Sequence, residues 1–227
     1  LKAWIEPAAE DRAALRFRKL EFLSHWGKFA KCLAAAETDE ERAIFYPLSR
    51  DRQAFSAALN ALPAETIFFQ VTAYQAFLWN RLVAKAFSAL PTTALLHNRA
   101  GDLPLPGACP AGWESLPVPL PGKNAVFPSP FDAAAETVFA EQGVTLRQFK
   151  IDKITNAHFK PSPRKLWLWP EALSFSAPEP DALHPGRHQL ALSVTLPYGC
   201  YATLLLNGPA ALAGAAQQAL VKDWLRT

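Results

Sequence analysis

The 227-residue chain contains no methionine and only three cysteines. Cys32, Cys109 and Cys200 are odd in number and far apart, which excludes a disulfide framework and points to a reducing, cytosolic compartment. No two of them have zinc-ligand spacing. His184 and His188 flank Pro185-Gly186 instead of sharing a helix face, so no metal pair is expected. No Gly-rich phosphate loop of either standard form is present. No apolar run reaches the ~18 residues of a membrane span, and the opening residues lack the apolar core of a secretory leader. One-sided charge is scarce too: 23 Lys+Arg against 20 Asp+Glu leaves +3, too little by itself to require a polyanionic partner. The lack of Met together with a leading Leu1 leads to the expectation that the chain is part of a longer protein.

What is present argues for a folded chain. Half the residues are hydrophobic and 11% are aromatic, which excludes disorder as the main state and supports a substantial core. From Ala8 to Ala36, Leu15, Phe22, Trp26, Phe29 and Leu33 form one apolar stripe at helical spacing, with Arg12, Arg16, Arg18, Lys19, Lys28 and Lys31 on the other faces. Thr38 followed by Glu41 is a capping-box pattern, which predicts a helix ending near Pro47. A further helix fits Arg52 to Ala61. Glu65 to Leu90 reads as a largely buried helix with Val71, Tyr74, Leu78 and Leu82 on one face, and with Arg81 and Lys85 emerging one turn apart.

Eight prolines between Pro104 and Pro130 exclude a helix there. The apolar residues among them, Leu105, Trp113, Val118 and Val126 included, predict an extended segment packed on a core. Asp132 is expected to cap a helix that ends at Gly143. Strands are expected over Lys165 to Trp169, over Gln189 to Leu196, where Leu190, Leu192, Val194 and Leu196 alternate with small and polar residues, and over Cys200 to Leu206. Pro209 opens a last helix to Arg226. The fold class is α+β: a helix-rich N-terminal third, an extended Pro-rich loop, and a mixed or antiparallel sheet toward the C-terminus.

Four stretches carry a family resemblance, in one order along the chain. They are Ala73-Tyr74-Gln75-Ala76-Phe77-Leu78-Trp79-Asn80-Arg81; Pro117-Val118-Pro119-Leu120-Pro121-Gly122 with Phe127-Pro128; Pro163-Arg164-Lys165-Leu166-Trp167-Leu168-Trp169-Pro170; and Leu196-Pro197-Tyr198-Gly199-Cys200-Tyr201-Ala202-Thr203. Together they resemble the later part of the TruD-type tRNA pseudouridine synthases, with Ala76 and Cys200 where that family usually has Ser. The family's catalytic Gly-x-Lys-Asp-Arg-x-Ala and Asn-x-Phe-Gly motifs are not found. Ser49-Arg50-Asp51-Arg52-Gln53-Ala54 is a superficial match to the first, without its Gly and Lys. Asp51 is therefore read as a helix-entry carboxylate and a decoy. Cys200 has no base near it in sequence and is read as packing, not as a nucleophile.

The resemblance implies isomerisation of uridine to pseudouridine in RNA, chiefly tRNA, without metal or organic cofactor. Such chemistry needs a carboxylate beside the sugar or base and a base drawn out of its stack. It implies that residues 1–187 are the family's insertion domain and that 188–227 return to a catalytic domain whose first half lies upstream, so the chain alone is expected to be inactive. Tyr74, Phe77, Leu78 and Trp79 are read as core, and Asn80 as a tie to neighbouring backbone. Candidate RNA contacts are Arg16, Lys19, Lys28, Lys31, Arg81, Lys85, Lys160, Arg164 and Lys165, which would grip phosphates without reading sequence. RNA is the expected partner, with no DNA and no membrane, in the cytoplasm. A non-catalytic RNA-binding or assembly module is the alternative.

Overall fold

The structure is a computed structural model that describes residues 6–9, 11–97, 101–167 and 169–197. The expected strand Cys200 to Leu206, the expected helix from Pro209 and the Tyr198–Thr203 part of the fourth motif lie outside the described residues. Helices are α1 Ala13–Ser24, α2 Phe29–Ala34, α3 Asp39–Arg50, α4 Phe55–Asn60, α5 Ala64–Phe87 and α6 Phe131–Glu141. Strands are β1 Thr92–Leu96, β2 Leu103–Pro106, β3 Pro117–Pro119, β4 Pro163–Lys165, β5 Ala172–Phe175, β6 Glu179–Pro180, β7 His188–Gln189 and β8 Leu192–Thr195. Among the described residues every ladder is an antiparallel pair: β1–β2, β3–β4, β5–β8 and β6–β7. The fold is thus α+β.

The chain divides into two compact units. The first holds the residues up to Gln75 together with Arg147–Lys160; the second holds Ala76–Leu146 and the chain from Pro161 on. The boundary falls inside α5, which is continuous in backbone.

The first unit is built on three rings. Phe22 of α1, Phe29 of α2 and Phe45 of α3 are all buried, with Phe22–Phe45 centroids 4.7 Å apart and Phe29–Phe45 6.5 Å apart. Cys32, Ile44, Leu48, Ala58, Ile67 and Val71 complete this core. The single helix expected from Ala8 to Ala36 is in fact two. Gly27 adopts φ +85, a left-handed conformation open to glycine because it has no Cβ. The chain turns there, yet Phe22 and Phe29 still reach the same core. The turn also leaves α1 poorly covered: Phe17 and Leu20 are exposed.

At the start of α3 the predicted capping box is complete. Thr38 Oγ1 accepts from the Glu41 amide at 3.2 Å, and Glu41 Oε2 accepts from the Thr38 amide at 3.0 Å and from the Glu37 amide at 2.8 Å. The helix runs past Pro47 to Arg50, contrary to expectation. Pro47 removes one N–H, but Ile44, Phe45 and Leu48 are buried around it and hold the helix through the missing bond. The helix expected from Arg52 starts only at Phe55, after a turn. Within unit 1, Asn60 at the end of α4 ties down the segment 147–160. Its Nδ2 donates to Lys153 O at 3.0 Å, and its Oδ1 accepts from the Thr155 amide at 2.9 Å.

α5 is less buried than its composition suggests. Leu78 and Leu82 are fully buried, but Phe68 and Phe69 near its start are exposed. In the second unit, the Pro-rich stretch expected as an extended packed loop starts within β2, which pairs with the preceding β1 across a bulge at Thr93, and goes on to β3. Val126, expected to be buried, is 84% exposed. α6 begins at Phe131 after Pro130, so Asp132 is its second residue and not its cap. Phe131 is fully buried, and burying it in the first turn sets where the helix begins. The predicted stop is correct. Gly143 sits at φ +63, its amide donates to Ala140 O at 3.1 Å, and the Val144 amide donates to Phe139 O at 2.9 Å, the paired bonds of a Schellman ending. Residues 190–196 alternate half-buried and exposed as predicted, although the backbone pairs only as β7 and β8.

Phe45→Ala should cost about 3–5 kcal/mol, because it empties the centre of the three-ring core. Thr38→Ala should cost about 1 kcal/mol through the lost cap. Urea unfolding of both variants reads the difference, and a Phe45→Ala loss no larger than that of Thr38→Ala would contradict this account of the core.

Candidate nucleic-acid interface

The family-like stretches meet in space within the second unit. Val118 is fully buried in β3 and pairs with Arg164 of β4, while Pro117 pairs with Lys165 and Pro119 with Pro163. The Leu120 amide extends the pairing by donating to Ser162 O at 2.9 Å. Trp79 of α5 donates its indole Nε1–H to Val118 O at 3.0 Å. One peptide unit therefore joins a residue from each of three stretches that lie far apart in sequence. In the first unit, buried Gln75 donates from Nε2 to Lys160 O at 3.1 Å. The backbone tie expected of Asn80 is thus made by Gln75 and Trp79; Asn80 itself is exposed. Leu78 is core, as expected. Tyr74 is only partly covered, with its ring stacked 6.5 Å from Phe149.

The strand expected over Lys165 to Trp169 ends at Lys165. Beyond it the Trp167 ring stacks at 5.6 Å on Phe87, which stacks at 6.1 Å on Trp113. Ring packing takes over where the ladder would have continued.

The basic candidates fall into two groups. Three of them are engaged with carboxylates. Lys19 Nζ lies 2.9 Å from Asp11, and both Arg81 (3.2 Å) and Lys85 (3.3 Å) reach Glu141 on α6. The hydrogen bonds from Arg81 and Lys85 hold the Glu141 carboxyl below the usual carboxylate range. The Asp11 carboxyl is also lowered, first by the Ala8 amide and then by Lys19. Among the remaining candidates, Arg16 is exposed on α1, Lys160 is exposed at the end of the 147–160 segment, and Arg164 and Lys165 lie on β4, half-buried and exposed respectively. Lys28, which precedes α2, and Lys31, within it, are exposed and line one hollow of about 200 Å³ with Arg52. Sequence reasoning did not select Arg52. Its spacing from Lys28 carries no local signal, because α3 intervenes between them.

Asp51 stands at the end of α3, not at the entry of a helix. It is exposed, and its Oδ1 accepts from the Gln53 amide at 2.9 Å, stabilising the turn into α4. His184 Nδ1 lies 2.9 Å from Asp181, which also accepts from the Leu183 and His184 amides. No group of three metal-ligating side chains occurs among the described residues. Cys32 is fully buried, and burial pushes its thiol above the ordinary value, the opposite of an activated nucleophile. No helix among the described residues is long and apolar enough to cross a membrane.

The chain is similar to known proteins. The family described as tRNA pseudouridine synthase D (TruD) matches residues 108–208, which span the β3–β4 pair. A tRNA pseudouridine synthase D of Leptospira interrogans is 22% identical over 215 residues, covering 89% of this chain and 52% of that protein. A Methanosarcina mazei protein bearing the same name is 26% identical over 190 residues, covering 74% and 43%. Over residues 108–208 the chain is similar to TruD. A crystal structure of the Methanosarcina mazei TruD superposes with a TM-score of 0.68 at 21% identity, covering 90% of this chain and 52% of that one, and so shares its fold. The chain spans about half the length of the TruD relatives it matches.

Trp79→Phe keeps the ring but removes the indole hydrogen bond to Val118 O, leaving that carbonyl its ladder partner on β4, which should cost about 0.5–1.5 kcal/mol. A thermal melt of the variant reads this loss. An unchanged melting temperature would mean that the indole bond does not hold α5 to the β3–β4 pair.

Proposed function

We propose that this chain is the later portion of a pseudouridine synthase acting on tRNA, an isomerase that moves the uracil attachment from nitrogen to carbon. The observation that carries this reading is the meeting of three TruD-like stretches at Val118, joined by Trp79 and Arg164. On this reading residues 1–187 form the insertion domain and 188–227 belong with the catalytic domain. The aspartate that drives the chemistry belongs to a segment outside the 227 residues, and Asp51 is not its substitute. Arg16, Lys28, Lys31, Arg164 and Lys165 are the cations that grip RNA phosphates, with Lys19, Lys160, Arg81 and Lys85 supporting them. The protein works on cytoplasmic tRNA.

The test is base isomerisation followed by tritium release from 5-labelled uridine in an unmodified tRNA transcript. The 227-residue chain should show no turnover, and the whole encoded protein should. Turnover by the chain alone would overturn the assignment of its chemistry to another segment, and Asp51→Ala would then show whether Asp51 supplies the carboxylate. The absence of a Gly-x-Lys-Asp-Arg motif from the chain also favours a second reading, a non-catalytic RNA-binding module. Salt-dependent tRNA binding by a whole protein that never isomerises uridine would support that reading.

A further inference from the structure

The Ser49-Arg50-Asp51-Arg52 segment, set aside as a decoy for catalysis, occupies a distinct place in the fold. Arg52 lies just past α3, and the packing of α3 against α2 brings it to the hollow that Lys28 and Lys31 also line. Phe29 and Leu48 line the same hollow and are buried in the three-ring core, so its base is fixed by packing. No carboxylate lines it. Asp51, the nearest acid in sequence to Arg52, uses its Oδ1 to accept the Gln53 amide. The Ser49 hydroxyl donates to Tyr46 O at 2.7 Å, and Arg50 lies over the Tyr46 ring at 5.0 Å. Among the described residues Lys28, Lys31 and Arg52 form no ion pair, unlike Lys19, Arg81 and Lys85. Three exposed cations in one hollow repel one another, and an anion placed among them relieves that repulsion.

We propose that Lys28, Lys31 and Arg52 together seat a backbone phosphate of the bound RNA. This rests on the reading of the protein as RNA-binding. The hollow is shallow and its donors are cationic side chains, an arrangement that suits a phosphodiester held from one side. With no base-reading amide among its lining residues, it contributes affinity and register but not sequence.

The test is fluorescence anisotropy on the whole encoded protein with an end-labelled unmodified tRNA transcript, titrated across a series of KCl concentrations. Lys28→Gln, Lys31→Gln and Arg52→Gln are combined in one variant. The slope of log affinity against log salt should become shallower by about 0.7–0.9, the counterion release of one phosphate, and affinity near ~0.1 M salt should drop about five-fold. Arg42→Gln, whose guanidinium is already paired with Asp39 at 3.1 Å, should stay within about two-fold of wild type. All three substituted side chains are exposed, so the melting temperature should stay close to wild type, which a thermal melt verifies. An unchanged slope in the triple variant, with wild type binding tRNA normally, would overturn the phosphate seat and leave the RNA reading standing. No tRNA binding by wild type would overturn both. Inorganic phosphate is titrated as a second probe. If it protects wild type but not the triple variant while the tRNA slopes agree, the hollow holds free phosphate only and the proposal fails.

Discussion

One buried carboxylate organises the first unit. Glu41 is 3% exposed, and it closes the start of α3 by accepting from the amides of Thr38 and Glu37. Its other oxygen accepts from Arg18 Nε of α1 at 2.7 Å, and Arg18 also contacts Glu37. Burial works to raise its pKa, but the Thr38 amide, Arg18 and the Glu37 amide together outweigh it and hold the carboxyl below the ordinary range. A lowered folded pKa means that the group stabilises the fold above the ordinary carboxylate range and loses that contribution as pH falls through the folded value. The same contacts lock α1 to α3. The Phe22–Phe45 pair and the packing of α2 against α3 then follow. A buried charge is costly unless it is paired and hydrogen-bonded, and here two amides and a guanidinium bond it.

The second unit depends on a polar constraint of a similar kind. β3 is a short strand between two prolines that cannot donate, so its pairing with β4 is thin. The Val118 carbonyl takes a second hydrogen bond from outside the ladder, from the Trp79 indole. This gives the aromatic of the Tyr-Gln stretch a structural role, and it explains how a family pattern can consist mostly of packing residues. These residues shape a scaffold.

The distribution of charge bears on function more than its total. A net charge of +3 says little about partners. Once acids are paired off locally, some cations are neutralised by neighbours and others are not. Glu141 holds Arg81 and Lys85 together, whereas the hollow beside α2 has cations and no lining acid. A polyanion senses this local imbalance within a Debye length of about 8–10 Å and not the sum over the chain.

The sequence by itself determined what depends on neighbours a few residues apart. The Thr38–Glu41 capping box, the Gly143 helix stop, the α5 helix and the alternation over 190–196 could all be read because each is a local hydrogen-bond or periodicity rule. The order of the TruD-like stretches was legible for the same reason. Tertiary structure alone decided where local rules competed with burial. Pro47 stays inside α3 because three core side chains hold the helix around it, and Trp167 leaves its strand for a ring stack. It also decided which residues distant in sequence become neighbours: Trp79 with Val118, Arg81 with Glu141, and Arg52 with Lys28 and Lys31. Such pairings depend on how helices and strands pack, and that information is spread over the whole core and not written at any one position.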